Sequence, residues 1–179
     1  LWNFRAVEER AFYGIDHELV GMGVLVSRTF DNERANGVVF TGNPSNPLDS
    51  RYLVTSQVGE NSVVSPDPGV STAVDLLLVD DGAVLDITRS TKSSLLGEGE
   101  NVLSDEQLQE LGQVLWHIDR NFPIETGERD RDEVVLDLEF KIEENGSLAI
   151  KQVRPFLRNV PLPPRPEFEL VIPAETIAC

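Results

Sequence analysis

Four residues toward the C-terminal end of the chain combine side-chain types and a spacing suited to chemistry. In "DLEFKIEENGSLAIKQVRP", residues 137–155, Asp137 and Glu139 alternate at the start and Gln152 and Arg154 alternate at the end. Between them stands Asn145-Gly146, the strongest short hairpin signal a sequence offers. With those two residues as the loop, Glu144 faces Ser147, Lys141 faces Ile150, Glu139 faces Gln152 and Asp137 faces Arg154. Alternation then places Asp137, Glu139, Gln152 and Arg154 on one face. Leu136, Leu138, Phe140, Ile142, Ala149 and Val153 take the other, apolar face. Carboxylate and amide oxygens are hard ligands suited to Mg²⁺, which takes one or two protein carboxylates and completes its shell with water and phosphate oxygens. A guanidinium beside them can grip a phosphate bidentately. The patch therefore matches a metal-bound nucleotide phosphate tail. The same residues also fit a cross-strand ion pair on a solvated face, and spacing alone favours that reading.

The elements that must carry this hairpin are mixed. Residues 2–13 read as a helix stopped at Gly14, and "LVGMGVLVS" (19–27) reads as a buried strand. Residues 31–36 form a polar turn or short helical loop. Strands follow at "GVVFTGNP" (37–44) and "RYLVTSQV" (51–58), and "SPDPG" (65–69) is a loop. Residues 73–90 form a hairpin around Asp81-Gly82. Ser104 and Gln107 spell a capping box, with Leu103 and Leu108 at staple positions. The helix they open carries Leu108, Leu111, Leu115, Ile118 and Phe122 on one stripe and stops at Pro123. Residues 125–133 are a charged loop, and the proline-rich run after Asn159 is a linker or tail. Strand hairpins with separate helices give an α+β class.

The chain has 179 residues, 40% hydrophobic and 26% charged, enough for one domain with a core. Fifteen basic against thirty-one acidic residues give a net charge of −16. That argues against a phosphate-backbone reader, so no nucleic-acid partner is expected, and it argues against docking on an anionic membrane. Cys179 is the only cysteine, so no intrachain disulfide forms. No apolar run reaches the length of a membrane span. The chain opens without Met, in what reads as the middle of a helix, and is expected to be a fragment or a processed piece. His117 lies on the long helix beside the apolar stripe and His17 follows Asp16 at a turn, so neither reads as catalytic. Trp2 and Trp116 read as packing residues, and Lys92 as a solvated loop lysine.

"DLEF…IKQVRP" resembles the end of the nucleotide-binding domain of the pyruvate phosphate dikinase and phosphoenolpyruvate synthase family, which has an ATP-grasp fold. "GVVFTGNP" is similar to the family's Gly-Val-x-Phe-Thr-x-Asn-Pro strand, and "QVGENSV" to the Gln-Gly-Glu region after it, though Val58 interrupts that pattern. "LSDEQLQELGQVLWHIDRNF" resembles the helix before the metal strand, and the first 26 residues resemble the segment leading to the adenine hinge. Ser27 and Thr29 stand where family hinges often carry Gln and Met. The resemblance spans roughly residues 1–158, with motifs in family order. It implies an ATP-grasp-like, partial, C-terminal lobe of antiparallel sheet and packed helices, followed by a tail over 159–179.

The resemblance also implies roles. Glu139 and Gln152 would ligate Mg²⁺, Asp137 would support the metal or phosphates, and Arg154 would contact the transferring phosphoryl group. Val26 and Ser27 would meet adenine, Glu60 would sit near the nucleotide, and Thr41 and Gly42 would line the phosphate path. ATP and Mg²⁺ are the implied ligands. The family's first ATP-grasp lobe and its His-carrying domain would be supplied in the same or another chain. The implied reaction passes a phosphoryl group from ATP to a carrier His, then to pyruvate or a similar acceptor, in a cytoplasmic enzyme. A catalytically silent ATP-grasp-derived binding or assembly module is the alternative. An acidic protein-interaction domain has only composition behind it.

Overall fold

The computed structural model describes residues 2–21, 23, 24, 26, 29, 32–124 and 131–158. They divide into two units, Leu1–Phe30 and Asp31–Cys179. In the first unit, helix α1 (Phe4–Phe12) starts at Asn3, whose side chain accepts from the Ala6 N–H. It ends in a Schellman arrangement: Gly14, at φ 65°, donates to Ala11 O, and Ile15 N donates to Arg10 O at 2.8 Å. A 3-10 turn follows at His17–Leu19, capped by Asp16, and His17 Nδ1 accepts from Arg10 Nε at 3.0 Å. The buried strand expected over 19–27 is not found: none of its described residues is in a strand, and Val24 and Val26 are exposed. A strand needs a neighbour for its ladder, and this unit has none among its described residues. Gly21 and Gly23 add backbone entropy that no packing offsets.

The second unit is a six-stranded sheet in the order β4-β3-β2-β1-β5-β6, antiparallel at every pairing. Its strands are β1 (Ala35–Phe40), β2 (Tyr52–Val58), β3 (Ala73–Asp80), β4 (Ala83–Thr91), β5 (Val134–Ile142) and β6 (Leu148–Leu157). The β3–β4 hairpin turns at Asp81-Gly82, both at positive φ, as a two-residue type I′ loop requires. Strand β1 begins at Ala35, so Ala35 and Asn36 belong to the ladder rather than to the preceding turn. Of the charged loop expected over 125–133, Arg131–Glu133 is a 3-10 turn, and 125–130 lie outside the described residues. The proline-rich tail expected over 159–179 also lies outside them.

Helix α2 (Asp105–Asn121) covers one face of the sheet. Its capping box is formed in both directions: Gln107 N donates to Ser104 Oγ, and Ser104 N donates to Gln107 Oε1. The staple residues Leu103 and Leu108 are both buried. Leu108, Leu111 and Leu115 sink into a core of Val39, Val54, Leu77, Leu136, Leu138 and Phe140. Burial of each such leucine contributes about 1.5–3 kcal/mol. Two glycines permit the close packing. A Cβ on Gly112 would collide with Val84 Cγ2, and one on Gly37 would collide with the Phe140 ring and reach 2.7 Å from Thr55 O. Arg89 ties the first turn of α2 to the sheet, bonding Asp105 Oδ1 at 2.5 Å and lying 3.3 Å from the buried Asp75. Burial pushes the Asp75 carboxyl up, and the Arg89 charge only partly offsets this. The face away from α2 carries half-buried Val38, Phe40, Leu53, Thr55, Val74 and Leu76.

Candidate functional site

The β5–β6 hairpin brings together the four polar residues singled out above, by a route that differs from the expected one. Asp137 pairs with Arg154 and Glu139 with Gln152, as the two-residue loop would require. The loop itself is longer. Glu143 N donates to Ser147 O and Gly146 N to Glu143 O, with Gly146 at φ 90°. This is a three-residue turn closed by a left-handed glycine. It shifts the nearby register by one residue, so Ile142 faces Leu148 and Lys141 faces Ala149 rather than Ile150. A bulge between Glu139 and Phe140 then adds Lys151 to β6 and restores the pairing beyond it. Ala149 consequently joins the face of Lys141, and Ile150 turns to pack against the core. Size accords with the exchange: Ile150 has apolar area to bury, and Ala149 has little.

Within the patch, the four side chains have unequal surroundings. The Asp137 side chain is 5% exposed, while that of Arg154 is 62% exposed. Arg154 Nε donates to Asp137 Oδ2 at 2.7 Å, and its Nη2 lies 2.5 Å from the same oxygen in an ion pair. Asp137 therefore fixes the guanidinium, whose remaining edge is turned to solvent. Glu139 and Gln152 are exposed and have no side-chain bond among the described residues. Their oxygens are available, and phenylalanines 40 and 156, stacked edge to face 5.2 Å apart, pack beside the hairpin.

The donor set fits Mg²⁺ rather than a soft metal. Among the described residues no three His, Cys, Asp or Glu side chains gather as a metal cage. One free carboxylate and one amide, flanked by room for water and phosphate oxygens, are what Mg²⁺ takes from a protein in nucleotide sites.

A cavity of about 190 Å³ adjoins Glu139, lined by Gly37, Val38, Ser62, Val64, Lys141 and Lys151 among others. Its outer wall is the loop after β2. Asn36 Nδ2 holds that loop by donating to Gly59 O at 2.6 Å and Asn61 O at 2.9 Å. Lys141 is ion-paired with the buried Glu33. Burial pushes the Lys141 ammonium down, and the neighbouring Lys151 charge adds to that. Gln57, fully buried, braces the base of the same loop: it donates to Ser71 O and accepts from Ser93 Oγ at 2.5 Å. Glu60 lies exposed on this loop.

Other expected site residues stand elsewhere. Thr41 is buried on the α2 side of β1: its hydroxyl donates to Asp119 Oδ1 and accepts from Leu136 N, both at 3.0 Å. Gly42 packs under the Arg158 guanidinium, where a Cβ would collide with it. The structure thus does not bring Thr41 and Gly42 to the Glu139 face; it gives them roles in joining β1 to α2 and to the end of β6. Val26 belongs to the first unit and is exposed, and Ser27 lies outside the described residues. The sequence reading missed Lys141 and Lys151. Nothing in "AIKQV" announces a bulge, and unbroken alternation would point Lys151 into the core.

The family model for the pyruvate phosphate dikinase AMP/ATP-binding domain matches residues 1–161. No curated protein sequence matches the chain. The match covers most of the chain, which therefore belongs to that family and is an AMP/ATP-binding domain of dikinase type. No described helix is long and apolar enough to cross a membrane.

Proposed function

We propose that this member of the pyruvate phosphate dikinase nucleotide-binding family is the C-terminal lobe of an ATP-grasp domain. It holds the ATP phosphates on the outer face of β5–β6 for transfer to a carrier His, and onward to pyruvate or a similar acceptor. The observation that carries this is the split within the patch. Asp137 is buried and engaged, whereas Glu139 and Gln152, on the same face, are exposed and have no side-chain partner among the described residues. Glu139 and Gln152 would hold Mg²⁺. When bound, that ion supplies charge neutralisation at the phosphate oxygens. Arg154, held by Asp137, presents its free edge to the phosphoryl group, so its position costs no reorganisation during transfer. Asp137 is a positioning residue in this reading. Glu60, on the loop beside the site, would lie near the nucleotide, and Val26 and Ser27 would meet adenine. A preceding ATP-grasp lobe and a His-carrying domain complete the enzyme, which is expected to be cytoplasmic.

Calorimetric titration of Mg-ATP into the full-length protein and its Glu139→Ala variant tests this. The expected result is Mg²⁺-dependent binding that Glu139→Ala weakens by about tenfold or more, the loss of one charge-assisted contact. Unchanged affinity and unchanged Mg²⁺ dependence in the variant would overturn the reading.

A further inference from the structure

The chain contains Asn-Gly twice, at 36–37 and at 145–146. In this dipeptide the asparagine side-chain amide is open to attack by the next backbone nitrogen. No Cβ shields that nitrogen, and the glycine backbone bends freely toward the side chain. The fold treats the two pairs in opposite ways. Asn36 and Gly37 lie in β1, between β2 and β5, and Gly37 is buried. Asn36 Nδ2 donates to Gly59 O at 2.6 Å and to Asn61 O at 2.9 Å, so the group that would have to leave is held twice. A strand paired on both sides cannot bring its backbone nitrogen onto the side chain without opening the ladder. Asn145 instead stands exposed at the tip of the β5–β6 turn, with Gly146 in the left-handed region at φ 90°. Asn145 Oδ1 accepts from Ser147 N at 2.9 Å, an Asx turn that folds the side chain back along the chain. That bond also supports the oxygen on which charge gathers when Cγ is attacked. Asn145 Nδ2 makes no hydrogen bond among the described residues. Arg34 has no side-chain partner among them either, and its Nη1 lies 3.9 Å from where a Cβ on Gly146 would stand. A guanidinium so placed favours a deprotonated Gly146 nitrogen and, afterwards, a new carboxylate. Glu143 and Glu144 act against it in sign. The Gly146 N–H donates to Glu143 O at 2.9 Å, so this turn must open before the nitrogen can react.

We infer that Asn145 is a self-modification site, deamidating through a cyclic imide to aspartate and isoaspartate, while Asn36 is kept intact by its strand. A solvent base takes the Gly146 N–H proton, and the nitrogen attacks Asn145 Cγ. The N–Cγ bond forms, the Cγ–Nδ2 bond breaks, and Nδ2 leaves as ammonia with a proton returned by solvent. One water then opens the five-membered ring. Attack at Cγ gives aspartate, and attack at the backbone carbonyl gives isoaspartate. In sum an amide and water become a carboxylate and ammonium, with no change of oxidation state. The isoaspartate chain runs through Cβ and Cγ. It adds one backbone atom to the turn that joins the hairpin strands, and it leaves a carboxylate near Arg34. None of this depends on what the outer face of the sheet binds.

The test is incubation of the full-length protein in neutral buffer at body temperature, folded and in urea. Peptide mass spectrometry follows both asparagines, and a methyltransferase specific for isoaspartate counts that product. Folding should slow Asn145 by no more than about tenfold and Asn36 by about a hundredfold or more, because an exposed turn opens at little cost and an interior strand does not. Asn145→Gln, whose longer side chain does not close the five-membered ring, should remove the isoaspartate signal of the folded protein. Arg34→Met should slow Asn145 by about threefold in the folded protein and leave its rate in urea unchanged. Equal protection of the two asparagines by folding would overturn the inference. So would an isoaspartate signal that persists in folded Asn145→Gln. An unchanged folded-state rate in Arg34→Met would overturn the part assigned to the guanidinium.

Discussion

Replacing Arg154 with Met removes the guanidinium and leaves the Asp137 carboxylate behind. Its cost can be bracketed from the exposures of the pair, 5% for Asp137 and 62% for Arg154. Orphaning a fully buried charge costs about 3–5 kcal/mol, while an exposed pair contributes about 0.2–1 kcal/mol. This pair straddles the two limits, because water reaches the arginine head but hardly the carboxylate. The expected loss is about 1–2 kcal/mol, a fall in Tm of roughly 2–8 °C for a domain of this size. Arg154→Lys should lie between, since an ammonium keeps a charge beside Asp137 but not the planar fork that directs the Nε–H bond. The double variant Asp137→Leu/Arg154→Met removes the orphan and should recover most of the stability. Nucleotide binding should be weakened in both Arg154→Met and the double variant. Thermal melts followed by circular dichroism separate the two effects. An unchanged Tm for Arg154→Met, or a double variant less stable than the single one, would refute the view that Asp137 is a buried anchor.

Two further outcomes follow from the packing. Gly37→Ala should cost about 2–3 kcal/mol, read from the denaturant midpoint. The added methyl meets the Phe140 ring and also Thr55 O, and a backbone oxygen cannot swing aside as a ring can; a midpoint equal to wild type would show that β1 and β5 are not in the close contact described. Asp75 has a carboxyl raised by burial, so its contribution to stability is complete below the unfolded value near pH 4 and is lost as pH rises through the folded value. The stability of Asp75→Asn relative to wild type should therefore increase between pH 4 and pH 7 in urea titrations, and a relative stability that falls with pH would contradict the assignment.

The parts of the fold legible in the sequence were those specified locally. Ser104 and Gln107 announced the start of α2 because a capping box satisfies its own backbone donors, whatever lies around it. Asp81-Gly82 announced the β3–β4 turn because few residues adopt positive φ in succession. The pairing of Glu139 with Gln152 was foreseen although the loop was not: the longer turn and the bulge each displace the register by one residue, and the two displacements cancel at the site. The face of Ala149 follows from the three-residue turn and the aim of Lys151 from the bulge, and both go with the packing of Ile150 against the core, which is tertiary. The run 19–27 misled because its composition suits a strand while the ladder that would make it one comes from other chain segments. Alternation continues one step past β1 and turns the Thr41 hydroxyl toward Asp119, a contact that pattern alone does not name.

The seam between β1 and β5 bears on how freely the protein can change in length. Phe40 is paired with Asp137, so β2, β3, β4 and α2 all lie on one long excursion that returns to the strand beside its starting point. The entropy of closing such an excursion grows only logarithmically, about 0.6 kcal/mol for each doubling. Residues added or lost in the exposed connections of that excursion, such as 65–69 or 97–101, thus change the closure cost by a small fraction of that amount. The hairpin that carries Glu139 and Gln152 lies after the seam and outside the excursion, and its strands are joined by their own short turn. Variation in length and preservation of the acidic patch are thereby assigned to different stretches of the chain, and a lineage can alter the first without disturbing the second.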